Sequence, residues 1–122
     1  MTEYKTTNID TFQDLVSEIM DHEQQLLRQK GREYASQEDR LKNFRQQAYI
    51  QGTTMEQIAL TFLLKHILAI AEAVNKREYA WCWEGKNGEG LKQRFADARN
   101  YLLLLAACID EYDKDNIKKE GE

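Results

Sequence analysis

The chain has 122 residues, 42% apolar and 31% charged, with a net charge of −4 at neutral pH. That length is one domain's worth, with apolar residues enough for a buried core. The acidic balance excludes bulk binding of DNA or RNA, for which a basic surface supplies most of the affinity; a local basic pocket stays open.

Proline is absent and glycines number six, which favours long uninterrupted helices. Residues 1–9 read as extended. Asp10 or Thr11 can cap a first helix whose stripe is Phe12, Leu15, Val16, Ile19, Met20, Leu26 and Leu27, with Gly31 as its stop. Ser36 with Asp39 resembles a capping box for a shorter second helix, with Leu41, Phe44 and Ala48 on one side and Gly52 after it. Thr53 with Glu56 forms a proper capping box for a third helix, from about Thr54 to Asn75. Its stripe is Met55, Ile58, Ala59, Phe62, Leu63, Ala69, Ile70 and Ala73. Leu60, Leu64 and Ile67 widen that stripe, so this helix is expected to be central and covered on most sides.

Residues 76–90, "KREYAWCWEGKNGEG", are irregular. Trp81 and Trp83 either plug the end of a bundle, the favoured reading, or line a ligand pocket or a subunit contact. The last helix spans about Leu91 to Tyr112, and its "YLLLLAAC" is apolar on every side. Four helices offer few sides, so a homo-oligomer is expected to cover the surplus face. Residues 113–122 read as a frayed tail. The expectation is therefore an all-α, four-helix bundle-like single domain with short connectors and an irregular segment before the last helix.

Two cysteines, Cys82 and Cys108, are too few for a disulfide framework, and no signal-peptide pattern opens the chain. Reduced thiols and a cytoplasmic location are expected. The run from Ile58 to Val74 is broken by Lys65, His66 and Glu72, so no membrane span is expected.

Polar residues on apolar faces mark the candidate site. Glu23 falls near the middle of the first helix's stripe, with Lys30 on the same line; a carboxylate there is costly unless paired. It is either a structural ion pair or part of a site. His66 is central in the third helix's stripe, as a satisfied core histidine or as a ligand or base. Lys65 lies in a narrow seam with Thr61, Leu68 and Glu72. A matching seam on the last helix holds Gln93, Asp97, Asn100, Leu104 and Glu111. Were the two seams to face each other, Lys65 would pair with Asp97, as a latch or as the floor of a pocket.

The first connector, "KGREYASQEDRLKNF", brings Lys30, Arg32, Tyr34 and Arg40 toward one end of the bundle. Cations that fork onto phosphate and a ring that stacks on a base suit a nucleotide; a solvated connector is the plainer reading. Neither a glycine-rich phosphate loop nor zinc-ligand spacing is present.

"KGREYA…DRLKNF", "FLLKH" and "DARNYLLLL" together resemble a family of small helical proteins found mostly in bacteriophages. That family is loosely similar to MazG-like all-α nucleotide pyrophosphohydrolases and to phage nucleotide-modification-associated domains. The resemblance spans about residues 12–112. It implies an intracellular oligomeric bundle holding a nucleotide between helices, with contacts at Tyr34, Arg40, Asn43, Lys65, His66, Asp97 and Asn100. MazG-like enzymes hold magnesium with paired acidic motifs, ExxE and ExxD. Here Glu18-x-x-Asp21 points away from the main stripe, and the later motif reads Arg94-x-x-Asp97. Only Glu23 and Asp97 are well-placed carboxylates, and a hard dication needs more oxygen ligands.

The expectation is capture of a nucleotide without cleavage and without a resident metal; in a phage setting the ligand would be a host immune messenger such as an ADP-ribose derivative or a cyclic nucleotide. The alternatives are a magnesium-dependent pyrophosphohydrolase using Glu23 and Asp97, and a protein–protein interaction module.

Overall fold

The computed structural model describes residues 8–34, 39–86 and 88–120. They form four helices, α1 (Ile9–Tyr34), α2 (Lys42–Gln51), α3 (Met55–Lys76) and α4 (Leu91–Glu120), with a two-residue hairpin of β1 (Glu84–Gly85) and β2 (Gly88–Glu89) before α4. The hairpin is antiparallel, pairing Glu84 with Glu89 and Gly85 with Gly88. The all-α, bundle-like architecture is as the periodicity requires.

Helix ends differ from the sequence expectation in four places, each for a local reason. α1 is capped by Asn8, whose Oδ1 accepts from the Thr11 N–H at 2.9 Å, rather than by Asp10 or Thr11. It runs through Gly31 to Tyr34. Interior glycine costs only about 1 kcal/mol relative to alanine, too little to end a long helix alone. α3 is capped by Thr54, whose Oγ1 accepts from the Gln57 N–H at 3.2 Å, rather than by Thr53. α4 continues through the expected frayed tail to Glu120, where no proline or glycine interrupts it and Asp110 pairs with Lys114 one turn on at 2.8 Å. The Ser36 capping box and the extended segment before Asn8 lie outside the described residues.

The core sits where α2, α3 and α4 meet. Leu41, Phe44, Ala48, Ile58, Ala59 and Cys108 are buried together, with Met55, Phe62, Tyr101, Leu104 and Leu105 packed around them. Phe44, Phe62 and Tyr101 form a ring cluster, with Phe62 and Tyr101 stacked at 5.4 Å between centroids. Phe62 meets Tyr101, and one turn later His66 meets Asp97, so α3 and α4 are antiparallel.

The expectation that α3 and the "YLLLLAAC" stretch are covered all round is not met within one chain. Leu64, Ile67, Leu68 and Val74 on α3, and Leu102, Leu103 and Ile109 on α4, are exposed. α3 is also long and apolar enough, by length and composition alone, to cross a membrane, which the sequence reading did not expect. Here it packs on α2 and α4.

α1 is attached more lightly. It runs in the same direction as α4, with Glu18 paired to Lys92 at 2.7 Å and Glu23 to Arg99. Trp83 stacks on His22 at 3.6 Å, and Trp81 sets its edge against Phe95. Lys92 Nζ lies 5.5 Å from the Trp81 ring and 5.8 Å from the Trp83 ring, within cation–π reach. The tryptophans thus join α1 to the start of α4. Gly90 makes this corner possible: its N–H bonds to the Trp83 carbonyl at 2.9 Å, and a Cβ there would sit 2.0 Å from the Cys82 carbonyl oxygen.

Candidate functional site

A polar cluster interrupts the α3–α4 contact one turn beyond the aromatic core. His66 projects from the buried face of α3 and Asp97 from the facing side of α4; Asp97 is only 3% exposed. Its Oδ1 accepts from Gln93 Nε2 at 3.1 Å, one turn earlier on the same helix. Its Oδ2 lies 3.9 Å from His66 Nδ1, a contact longer than a hydrogen bond. The Nδ1 atom faces Arg94 Nη1 at 3.3 Å instead. A guanidinium can only donate, so in this contact Nδ1 is the side that accepts. Tyr101 stacks on the ring at 5.4 Å and fixes its plane. His66 is therefore a positioned core histidine that faces an arginine.

Arg94 links this cluster to the surface. It also approaches Glu89 on β2 at 3.5 Å, so the hairpin and His66 hold it from two directions. With Thr61, Leu64, Lys65, Leu68, Ala69 and Glu72 it lines an open groove of about 550 Å³ along α3. Glu72 is paired with Lys76 at 2.7 Å, and that ammonium holds its carboxyl below the ordinary carboxylate value. No described carboxylate pairs with the exposed Lys65. The groove thus offers two cations, one of them aimed, beside a leucine and alanine floor. That combination accommodates an anion carrying an apolar ring.

The structure divides the residues singled out from sequence. His66 and Asp97 come together, and Lys65 opens onto the adjacent groove. Lys65 does not latch Asp97, which turns to Gln93 and His66 inside the α3–α4 contact while Lys65 faces outward. Asn100 is half-buried, with Oδ1 lacking a described hydrogen-bond partner. Asn43 lies half-buried in the first turn of α2. Arg40 donates to the Leu27 carbonyl at 3.1 Å, on the α1 side of the fold and not at the groove. Lys30, Arg32 and Tyr34 belong to the last turns of α1, and their side chains lie outside the described residues.

The proposed pair of metal ligands is drawn to separate partners. Glu23 binds the Arg99 guanidinium in the α1–α4 contact, the structural ion pair that its stripe position allowed. Asp97 stays between α3 and α4. Among the described residues no three His, Cys, Asp or Glu side chains gather as a metal-holding group.

Sequence reasoning missed Arg94 as a groove residue, treating it only as a cation in place of a glutamate. The signal was its place one turn before Asp97, on the same side of α4. Fold and groove together define an all-α, bundle-like domain with a cationic surface cleft. Comparison with protein-family models, with curated proteins and with solved structures finds no match.

Proposed function

We propose that this chain binds the phosphates of a nucleotide or nucleotide-derived signal in the groove along α3, and retains the ligand without cleaving it. The observation that carries this reading is Arg94, braced by His66 and Glu89 above a groove whose second cation, Lys65, has no described acidic partner. A guanidinium held in advance loses little freedom on meeting a phosphate, and each charge-assisted bond contributes roughly 1.5–3 kcal/mol. Leu64, Leu68 and Ala69 supply the apolar surface on which a base or ribose rests. Glu23 is committed to Arg99 and Asp97 to the helix contact, which favours capture over a metal-assisted reaction.

Calorimetry against mono-, di- and triphosphates, cyclic nucleotides and ADP-ribose tests the reading. Binding of at least one is expected, weakened roughly tenfold or more by Arg94→Gln. Folded protein that binds none of them overturns it. Pyrophosphate release with magnesium would replace capture by turnover.

A further inference from the structure

We propose that Glu89 is a specificity-determining residue of the α3 groove: its carboxylate shares the Arg94 guanidinium with the incoming phosphate, so the groove prefers ligands with one or two negative charges over triphosphates. This rests on the reading of the groove as a phosphate site, and adds which phosphates are taken and which side chain decides.

One guanidinium has two claimants. Arg94 Nη1 faces His66 Nδ1 at 3.3 Å and lies 3.5 Å from Glu89 Oε2. Its Nε and Nη2 have no described partner, and the side chain is 30% exposed. That free edge is the one onto which a phosphate forks with two oxygens. The bound phosphate and the Glu89 carboxylate then sit on one guanidinium, on the order of 6 Å apart. The contact that steadies Arg94 before binding thus penalises each negative charge brought beside it.

The hairpin does little to neutralise that carboxylate. In the β1–β2 register Glu84 stands directly opposite Glu89, a like-charge pair on two-residue strands. Arg94 is the one described cation within ion-pair distance of Glu89. Glu89 is itself half-exposed, so the pair is loose and its loss leaves the fold intact.

The rest of the groove has little positive charge to spare. Glu72 is paired with Lys76 at 2.7 Å, and Lys65 is the lining cation without a described acidic partner. One unshared and one shared cation match a phosphodiester or phosphomonoester, which carries about one to two charges at neutral pH. A triphosphate brings about four, ordinarily balanced by a dication. Two unit charges about 7 Å apart in a water-like dielectric change affinity about threefold, and salt screens them beyond about 8 Å.

Calorimetry on the whole chain tests this, with the cyclic mono-, mono-, di- and triphosphates of adenosine and guanosine, at low salt and with a chelator. The wild type should bind a cyclic monophosphate or monophosphate at least as tightly as the matching triphosphate. Glu89→Gln should tighten the cyclic monophosphate about threefold and the triphosphate about tenfold. Asp110→Asn removes one exposed negative charge about 24 Å along α4 from Arg94, and should leave every affinity within about twofold. A wild type that binds triphosphate about tenfold tighter than monophosphate overturns the inference. So does Glu89→Gln with unchanged or weaker binding, or an equal gain in Asp110→Asn, which would assign the effect to net charge. In each of these cases the groove still binds phosphate; binding of no nucleotide by either the wild type or Glu89→Gln overturns the groove reading as well.

Discussion

His66 and Asp97 show how the same two residue types can be a charged pair or a positioning device, depending on a third. Arg94 donates to the imidazole, so the histidine accepts and Asp97 turns to Gln93. From sequence, His66 was a central residue on an apolar stripe, and the structure gives that placement its use: it braces an arginine. Cys108 is the other buried titratable residue with a consequence. Burial pushes its thiol up from the ordinary 9.0 to about 11, helped by Glu56 and Glu111. Its folded pKa is above its unfolded pKa, so between these values the native state holds the proton more tightly. The neutral thiol's contribution is complete below about pH 9 and is lost as pH rises toward 11. Relative to Cys108→Ala, wild-type stability should fall by on the order of 2 kcal/mol across that window, measured by urea unfolding. A difference that stays flat with pH would remove the claim.

Capping decides where α2 ends and α3 begins. The stretch Thr53-Thr54-Met55-Glu56-Gln57 contains two overlapping capping-box patterns, so sequence alone could not choose between the threonines. The preceding helix chooses. Gly52 adopts the left-handed conformation at φ 68°, and the Thr53 N–H closes the end of α2 on the Ala48 carbonyl at 3.0 Å. Thr53 thus belongs to the exit of α2, and Thr54 takes the entry of α3. Thr54→Ala should cost about 1 kcal/mol and Thr53→Ala a few tenths, by thermal or denaturant unfolding. The reverse order would move the cap back to Thr53.

At the scale of the molecule, α2, α3 and α4 share the core while α1 is held mainly by polar contacts and one stacked pair. None of the α1 side chains described is buried. Glu18–Lys92, Glu23–Arg99 and the His22–Trp83 stack make the attachment. Segments with little buried apolar surface open at lower free energy than the core. α1 amides should therefore exchange well before those of α3 in native-state hydrogen exchange. Arg99→Ala should speed α1 exchange about tenfold and leave α3 unchanged, because the lost ion pair ties α1 to α4 and does not involve α3. Uniform acceleration of both helices would show that α1 is part of the cooperative core.

Helix positions were legible in the sequence because the 3.6-residue repeat is a local signal, carried by neighbours along the chain. Leu41, Phe44, Ala48, Ile58, Ala59 and Leu63 were identified from spacing, and all are buried. Partner choice was not legible. Glu23 meets Arg99 from 76 positions away, and Asp97 meets His66 rather than Lys65. Such choices depend on the direction and roll of each helix against the next, which no local pattern records. The outer faces of α3 and α4 follow the same division. Their apolar residues are written in the sequence, but only the packing of the helices decides that Leu64, Ile67, Leu102 and Ile109 stay exposed within one chain.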